Sequence, residues 1–253
     1  MIPQLRDWTS VQRTAQTNTR LGATLCFVAG ATNAGGFLAV GQYTSHMTGV
    51  VSSVADNLVL GQLGLALVGL ASLLAFVSGA MTTAWMVNWG LRQHLQSAYG
   101  RPLLLEAALL LLFGLFGTGI NFFAGLFVPL TVLVLCFIMG LQNAVITKIS
   151  HAEIRTTHVT GLVTDLGIEL GKLLYINRQQ HELRVTANRS KLSLHLKLIS
   201  SFFIGGLLGA VGFKSIGFIA TLPLALLLLL LVWRPVLGDV KTWIEQHDSG
   251  QKY

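Results

Sequence analysis

The sequence predicts an all-α fold: a polytopic membrane helix bundle of six spans, built as an inverted 3+3 internal repeat with one short polar broken or re-entrant helix per repeat. Three observations carry this. The 253-residue chain is 53% hydrophobic and only 11% charged, against about 25% charged in an ordinary soluble domain. Apolar runs return from Leu21 to Leu231, and the mean hydropathy is +0.66. A segment near the N-terminus recurs in the middle of the chain. Together these exclude a water-soluble globule, a disordered chain and a disulfide scaffold.

In chain order, residues 1–20 are polar and carry Arg6, Arg13 and Arg20, and read as a cytoplasmic N-terminal segment. A cleaved signal peptide is not expected, because many later segments are equally apolar. Long apolar stretches follow at Leu21–Val40, Leu63–Trp89, Leu103–Gly119, Leu126–Ile146, Leu198–Phe213 and Ile216–Trp233. Each is near the length that about 30 Å of hydrocarbon requires at 1.5 Å per residue. Two further stretches, Thr44–Gly61 and Thr156–Leu174, are helical in pattern but polar along much of their length. Residues 21–125 form the first membrane repeat and 126–235 the second. The second contains a basic cytoplasmic loop at 178–197, and residues 236–253 form a cytoplasmic tail.

Loop charge decides between six and eight spans. With the polar stretches not crossing and the N-terminus inside, 16 of the 17 Lys and Arg residues face the cytoplasm, and only Lys214 lies outside. With both crossing, the split falls to 12 against 5. The positive-inside rule favours six spans with both termini cytoplasmic. The same loops account for the net charge of +7 and the pI near 9.8, so no nucleic-acid partner is expected; the bilayer is.

The repeat is legible residue by residue. Leu25–Ala34 matches Leu135–Ala144 at six of ten positions, including Gly30 with Gly140 and Asn33 with Asn143. Two residues are then inserted, and Thr44-Ser45-His46-Met47-Thr48-Gly49 matches Thr156-Thr157-His158-Val159-Thr160-Gly161. More weakly, Phe76–Gly79 matches Phe203–Gly206. Three crossings per copy is an odd number, so the second copy enters the membrane from the opposite side, as in many secondary transporters.

Gly-x-x-Asn-Ala with Thr-Ser-His-Met-Thr-Gly, followed by Arg-Thr-Thr-His-Val-Thr-Gly-x-x-Thr-Asp-Leu, resembles the YoaK-like family of small bacterial membrane proteins, domain of unknown function 1275. The resemblance spans roughly residues 20 to 235. It implies a multi-pass protein of the bacterial inner (plasma) membrane with about six spans and no established activity. The basic stretch Arg178–Lys197 is longer than the resemblance leads one to expect.

The Thr-Gly motifs open the two short helices, where Ser and Thr oxygens are suited to cap free N–H groups. A helix starting inside a membrane also aims its positive end at whatever lies there. The candidate substrate-binding residues are therefore Asn33, Thr44, Ser45, His46, Thr48, Gly49 and Ser53, with Asn143, Thr156, Thr157, His158, Thr160, Gly161 and Asp165. Asp56, Asp165 and Glu169 are candidate coupling acids, since acids in membrane segments usually face a wet pathway. The bland alternatives stand beside these. Hydroxyls satisfy helix ends, histidines donate one hydrogen bond, the asparagines glue helices together, and the acids are neutralised by Arg155 or Lys172. Gly30, Gly35, Gly36 and Gly140 read as close-packing or unwinding positions, and Glu106 as a partner of Arg101.

Cys26 and Cys136 sit in apolar runs, and no nucleotide loop, nucleophile elbow or HExxH pattern occurs, so no cofactor, metal or catalytic residue is expected. The leading functional reading is a secondary transporter or permease for a small polar or anionic solute, not an enzyme. The alternatives are a non-transporting structural or sensory membrane protein and an intramembrane enzyme acting on lipids through His46, His158 and Asp165.

Overall fold

The computed structural model describes residues 8–11, 13–116, 124–177 and 184–250. Among these the chain is helical: α1 Ala15–Val40, α2 Met47–Val59, α3 Leu63–Arg92, α4 Arg101–Phe116, α5 Ala124–Ile149, α6 Val159–Leu174, α7 Arg189–Ile216 and α8 Thr221–Gly250. A 3-10 turn, Gly217–Ala220, joins the last two. Local chemistry fixes several ends. The Thr14 hydroxyl accepts the Thr17 N–H at 3.2 Å and starts α1. Asn188 accepts the N–H groups of Ser190 and Lys191, each at 3.1 Å, and starts α7. Gly217, at φ 63°, takes the left-handed backbone that stops α7.

Four helical stretches of the described chain are long and apolar enough to cross a membrane: Ala15–Val40, Leu63–Arg92, Val128–Ile149 and Arg189–Glu245. The last holds both α7 and α8, divided at Gly217. The expected span Leu103–Gly119 corresponds to α4, whose 16 described residues rise about 24 Å; residues 117–119 lie outside the described chain. The protein is a helical, multi-pass integral membrane protein.

Several boundaries differ from expectation. Helix α1 begins at Ala15, inside the segment read as a polar N-terminus. The basic loop ends at Asn188, because Arg189–Lys197 form the first turns of α7; residues 178–183 lie outside the described chain. Residues read as a C-terminal tail continue α8 to Gly250, with Pro235 inside the helix. Ile216 closes α7 rather than opening the next helix.

The core lies between α1 and α5, with Leu25, Cys26, Val28, Leu135, Ile138 and Leu141 fully buried, and α4 and α8 close it with Leu110, Leu228 and Val232. Apolar side chains on α3 and α7, such as Leu74, Met81, Trp85, Phe203, Leu207 and Val211, stay exposed. That is the surface expected toward acyl chains rather than water.

Contacts along each helix pair reveal the directions. On α1 and α7, Gly22 meets Leu198, Gly30 the backbone of Phe202, Ala31 that of Gly209, and Gly35 the ring of Phe213, so the two run parallel. On α3 and α5, Gly79 meets Phe137, the Thr83 hydroxyl donates to the Leu141 carbonyl at 2.9 Å, and Lys148 donates to Asn88 at 3.1 Å; these run parallel too. Helices α1 and α5 are opposed, since Gly36 near the end of α1 lies beside Leu135 while Gly22 near its start lies beside Ile154, five residues past the end of α5. Helices α4 and α8 are also opposed, since Ser97 bonds Asp239 while the Leu110 carbonyl accepts from Thr221 at 2.9 Å.

The crossings use glycine because only its missing Cβ lets two backbones touch. A Cβ on Gly30 would strike the Phe202 carbonyl and one on Gly140 the Phe76 carbonyl. One on Gly79 would strike the Phe137 carbonyl and one on Gly205 the Phe27 carbonyl. Phe27 and Phe137 are repeat equivalents, so Phe76 corresponds to Phe202 and Gly79 to Gly205. The sequence match of Phe76–Gly79 with Phe203–Gly206 is therefore one residue out of register; two adjacent phenylalanines and two adjacent glycines allowed the slip. Both helices pass through these positions unbroken, so Gly30, Gly35, Gly36 and Gly140 serve packing and not unwinding. Glu106 is fully buried and accepts from the Gln142 amide at 2.8 Å, while the expected partner Arg101 lies over the Trp89 ring, 4.6 Å away.

Candidate functional site

Each Thr-Gly motif is tied to the long helix before it by one asparagine. The Asn33 carbonyl accepts the Ser45 N–H at 3.3 Å and the Ser45 hydroxyl at 2.9 Å. The Asn143 carbonyl accepts the Thr156 hydroxyl at 3.2 Å and the Thr157 N–H at 3.3 Å. The Asn143 amide donates to the Thr157 hydroxyl and to the Met139 carbonyl, both at 2.8 Å. These hydroxyls fasten a loop and do not cap the short helices. The N-cap positions belong to His46 and His158, and neither side chain takes a hydrogen bond from its first turn. Each imidazole instead lies over the glycine three residues on, where a Cβ on Gly49 or Gly161 would run into the ring. That contact explains the spacing of histidine and glycine in both motifs.

The two short helices start on one cavity. It has a volume of about 480 Å³, and Ser45, His46 and Thr48 line it from the α2 start, Thr157, His158 and Thr160 from the α6 start. Its remaining wall includes Phe76 and Ala80 of α3, Asn143 and Thr147 of α5, and Arg155. Phe76 is about 13 residues, or roughly 20 Å, into α3, so α2 begins deep beside the middle of a long helix. From there α2 runs back along α3, with Val54 against Gly69 and the turn at Leu60–Gln62. Helix α6 runs back along α7, with Asp165 beside His195 and Glu169 bonded to the Asn188 N–H that opens α7.

Not every sequence candidate reaches this cavity. Thr44 and Thr156 are buried and do not line it. Gly49 and Ser53 line a separate pocket of about 340 Å³ between α2 and α3, which also touches His46, Asn57 and Ser72. The three acids stand apart from the cavity. Asp56 is exposed on α2. The Asp165 side chain is 58% exposed and 3.9 Å from His195. Glu169 accepts from Lys172 at 2.8 Å and from the Asn188 N–H at 2.6 Å. Those bonds hold its carboxyl below the ordinary value, the Lys172 hydrogen bond being the larger cause and the Asn188 N–H the next.

Sequence reasoning read Arg155 as a cytoplasmic charge able to neutralise nearby acids; the structure places it on the cavity wall with Thr147. The available signal was its position, directly before the second hydroxyl motif. No group of three His, Cys, Asp or Glu side chains suited to a metal occurs among the described residues.

The model for Protein of unknown function (DUF1275) matches residues 21–233. A curated relative, UPF0700 transmembrane protein YoaK of Bacillus subtilis (strain 168), is 29% identical over 161 residues, covering 62% of this chain and 68% of the relative. No solved structure matches.

Proposed function

The chain belongs to the DUF1275 family, and from that premise we propose that it is a secondary transporter or permease of the bacterial inner membrane, carrying a small polar or anionic solute. In this reading it has six spans as an inverted 3+3 repeat, α1, α3 and α4 in the first copy and α5, α7 and α8 in the second, with both termini cytoplasmic. Helices α2 and α6 are then half-helices that start near the membrane centre and leave toward opposite faces.

One observation carries the reading: two equivalent short-helix starts, each tied down by an equivalent asparagine, open on a single cavity. Transporters built from inverted repeats place their sites where discontinuous helices of the two halves meet. The helix directions also support an odd number of crossings per copy. Equivalent helices α1 and α5 are opposed, as are α4 and α8; four crossings per copy would make both pairs parallel. The acid–base set of a lipid-acting enzyme finds no such support, because Asp165 faces His195 and not the two motif histidines.

The test is solute uptake into proteoliposomes containing the purified chain, with Thr48→Val and Thr160→Val at matched folded amounts. Uptake that either substitution slows is the expected result. Absence of protein-dependent flux across a panel of small polar and anionic solutes would overturn the proposal.

A further inference from the structure

Resting on the transport reading above, we propose that the central cavity binds a small oxygen-bearing anion, a carboxylate or oxoanion, and that Arg155 is the residue that selects it. The lining holds one guanidinium, two imidazoles and several hydroxyls, and no Asp or Glu. Neither short helix carries an acid in its first turn, so each start presents its positive end, about half an elementary charge, unopposed. Among the described residues no ion pair engages Arg155. Of the acids on α6, Glu169 is bound to Lys172 and to the start of α7, and Asp165 does not line the cavity. A cation and two helix starts around an acid-free cavity favour a negative ligand, and the planar fork of arginine favours one with paired oxygens.

The repeat adds an independent reason. At the spacings that align Asn33 with Asn143 and the two Thr-Gly motifs, Thr147 corresponds to Phe37 and Arg155 to Tyr43. In the first half those two rings stack, with centroids 4.5 Å apart. In the second half the same two positions are polar and line the cavity. The two positions lie six apart in the first half and eight apart in the second, so the polar pair sits on a turn two residues longer. The second half thus sets a cation on the cavity wall where the first half has a ring, and that cation would meet a ligand from the α5–α6 side.

The experiment is thermal stabilisation of the detergent-purified full chain by sodium formate, nitrate or phosphate, against sodium chloride at equal ionic strength. At least one oxygen-bearing anion should raise the melting temperature above the chloride control. Its apparent dissociation constant should weaken by about tenfold or more in Arg155→Gln. Arg155→Lys, which keeps the charge but loses the fork, should fall between, and it serves as the control if the glutamine variant folds poorly. A response equal in wild type and both variants, or none above chloride, would overturn the assignment. So would stabilisation by phosphatidylglycerol micelles alone, which would make Arg155 a headgroup anchor. The two proposals fail separately: Arg155-dependent binding without flux removes the transport reading, whereas flux of an uncharged solute unaffected by Arg155→Gln removes this one.

Discussion

Replacing Asn143 with leucine should loosen the start of α6 more than Asn33→Leu loosens the start of α2. Asn143 makes three bonds to the motif, to the Thr156 hydroxyl, the Thr157 N–H and the Thr157 hydroxyl, and a fourth to the Met139 carbonyl of its own helix. Asn33 makes two, both to Ser45. A net hydrogen bond is worth about 0.5–1.5 kcal/mol in water-soluble proteins, and interhelical bonds in membranes average about 0.6 kcal/mol. Counting only bonds to the motif, Asn143→Leu should cost about 2–3 kcal/mol and Asn33→Leu about 1–2 kcal/mol. Much of each cost comes from stranding a loop N–H without a partner. Unfolding of the purified chain in a mixed-detergent titration measures both. A double-mutant cycle of Asn143→Leu with Thr157→Val should return a coupling of about 1 kcal/mol. Equal stability in wild type and Asn143→Leu, or zero coupling, would refute the idea that this amide holds the motif in place.

Gly140→Ala places a methyl group against the Phe76 carbonyl and should destabilise by about 1–3 kcal/mol through overpacking, with Gly79→Ala behaving alike at the Phe137 carbonyl; folded yield and melting temperature check both. In the six-span reading Gln42→Cys and Glu153→Cys, both at exposed positions, should react with an impermeant thiol reagent from outside and inside respectively. Labelling of both from one face would remove the inverted repeat. The Glu169 carboxyl is held below its ordinary value of 4.5, so its tether to the start of α7 is fully present above that value and is lost as pH falls through the depressed one. Unfolding of the wild type should therefore become easier on acidification below about 4.5, and Glu169→Gln should flatten that limb of the pH–stability curve.

The helices and the repeat could be read from residue order because both are local signals. Apolar run length sets which segments suit a bilayer, and identity at Leu25, Gly30, Asn33 and the histidine motifs does not depend on folding. What could not be read depends on what each side chain meets. The serine and threonine hydroxyls look like caps in sequence, but Asn33 and Asn143, about a dozen residues away, take them first. Arg155 looks like a topological charge until the second short helix turns it toward a cavity. Glu106 looks interfacial by position, yet a glutamine on α5 reaches it and Arg101 stacks on a tryptophan. The slip at Phe76 has the same origin, since only the crossing of α1 with α7 tells Phe202 from Phe203.

The two sequence-matched halves make corresponding helix crossings and differ in how firmly each holds its short helix. By the register of the crossings, Gly69 on α3 corresponds to His195 on α7, and by that of the motifs Ser53 corresponds to Asp165. In the second half this pair is an acid 3.9 Å from a histidine, and Glu169 adds its bond to the start of α7. In the first half the same pair is a hydroxyl and a glycine, and the space between them forms part of a pocket. Helix α6 buries Leu162 and Glu169, whereas α2 buries no residue at all. Local opening follows the element with the fewest buried contacts, so α2 should open first. His46 begins that helix and stands on the wall of both its pocket and the central cavity. A displacement of α2 would thus move the one side chain shared by the two spaces, while α6, anchored by its acids, keeps Arg155 and His158 in place. If the proposed inverted repeat holds, this difference would let the side of the cavity at α2 yield before the side at α6.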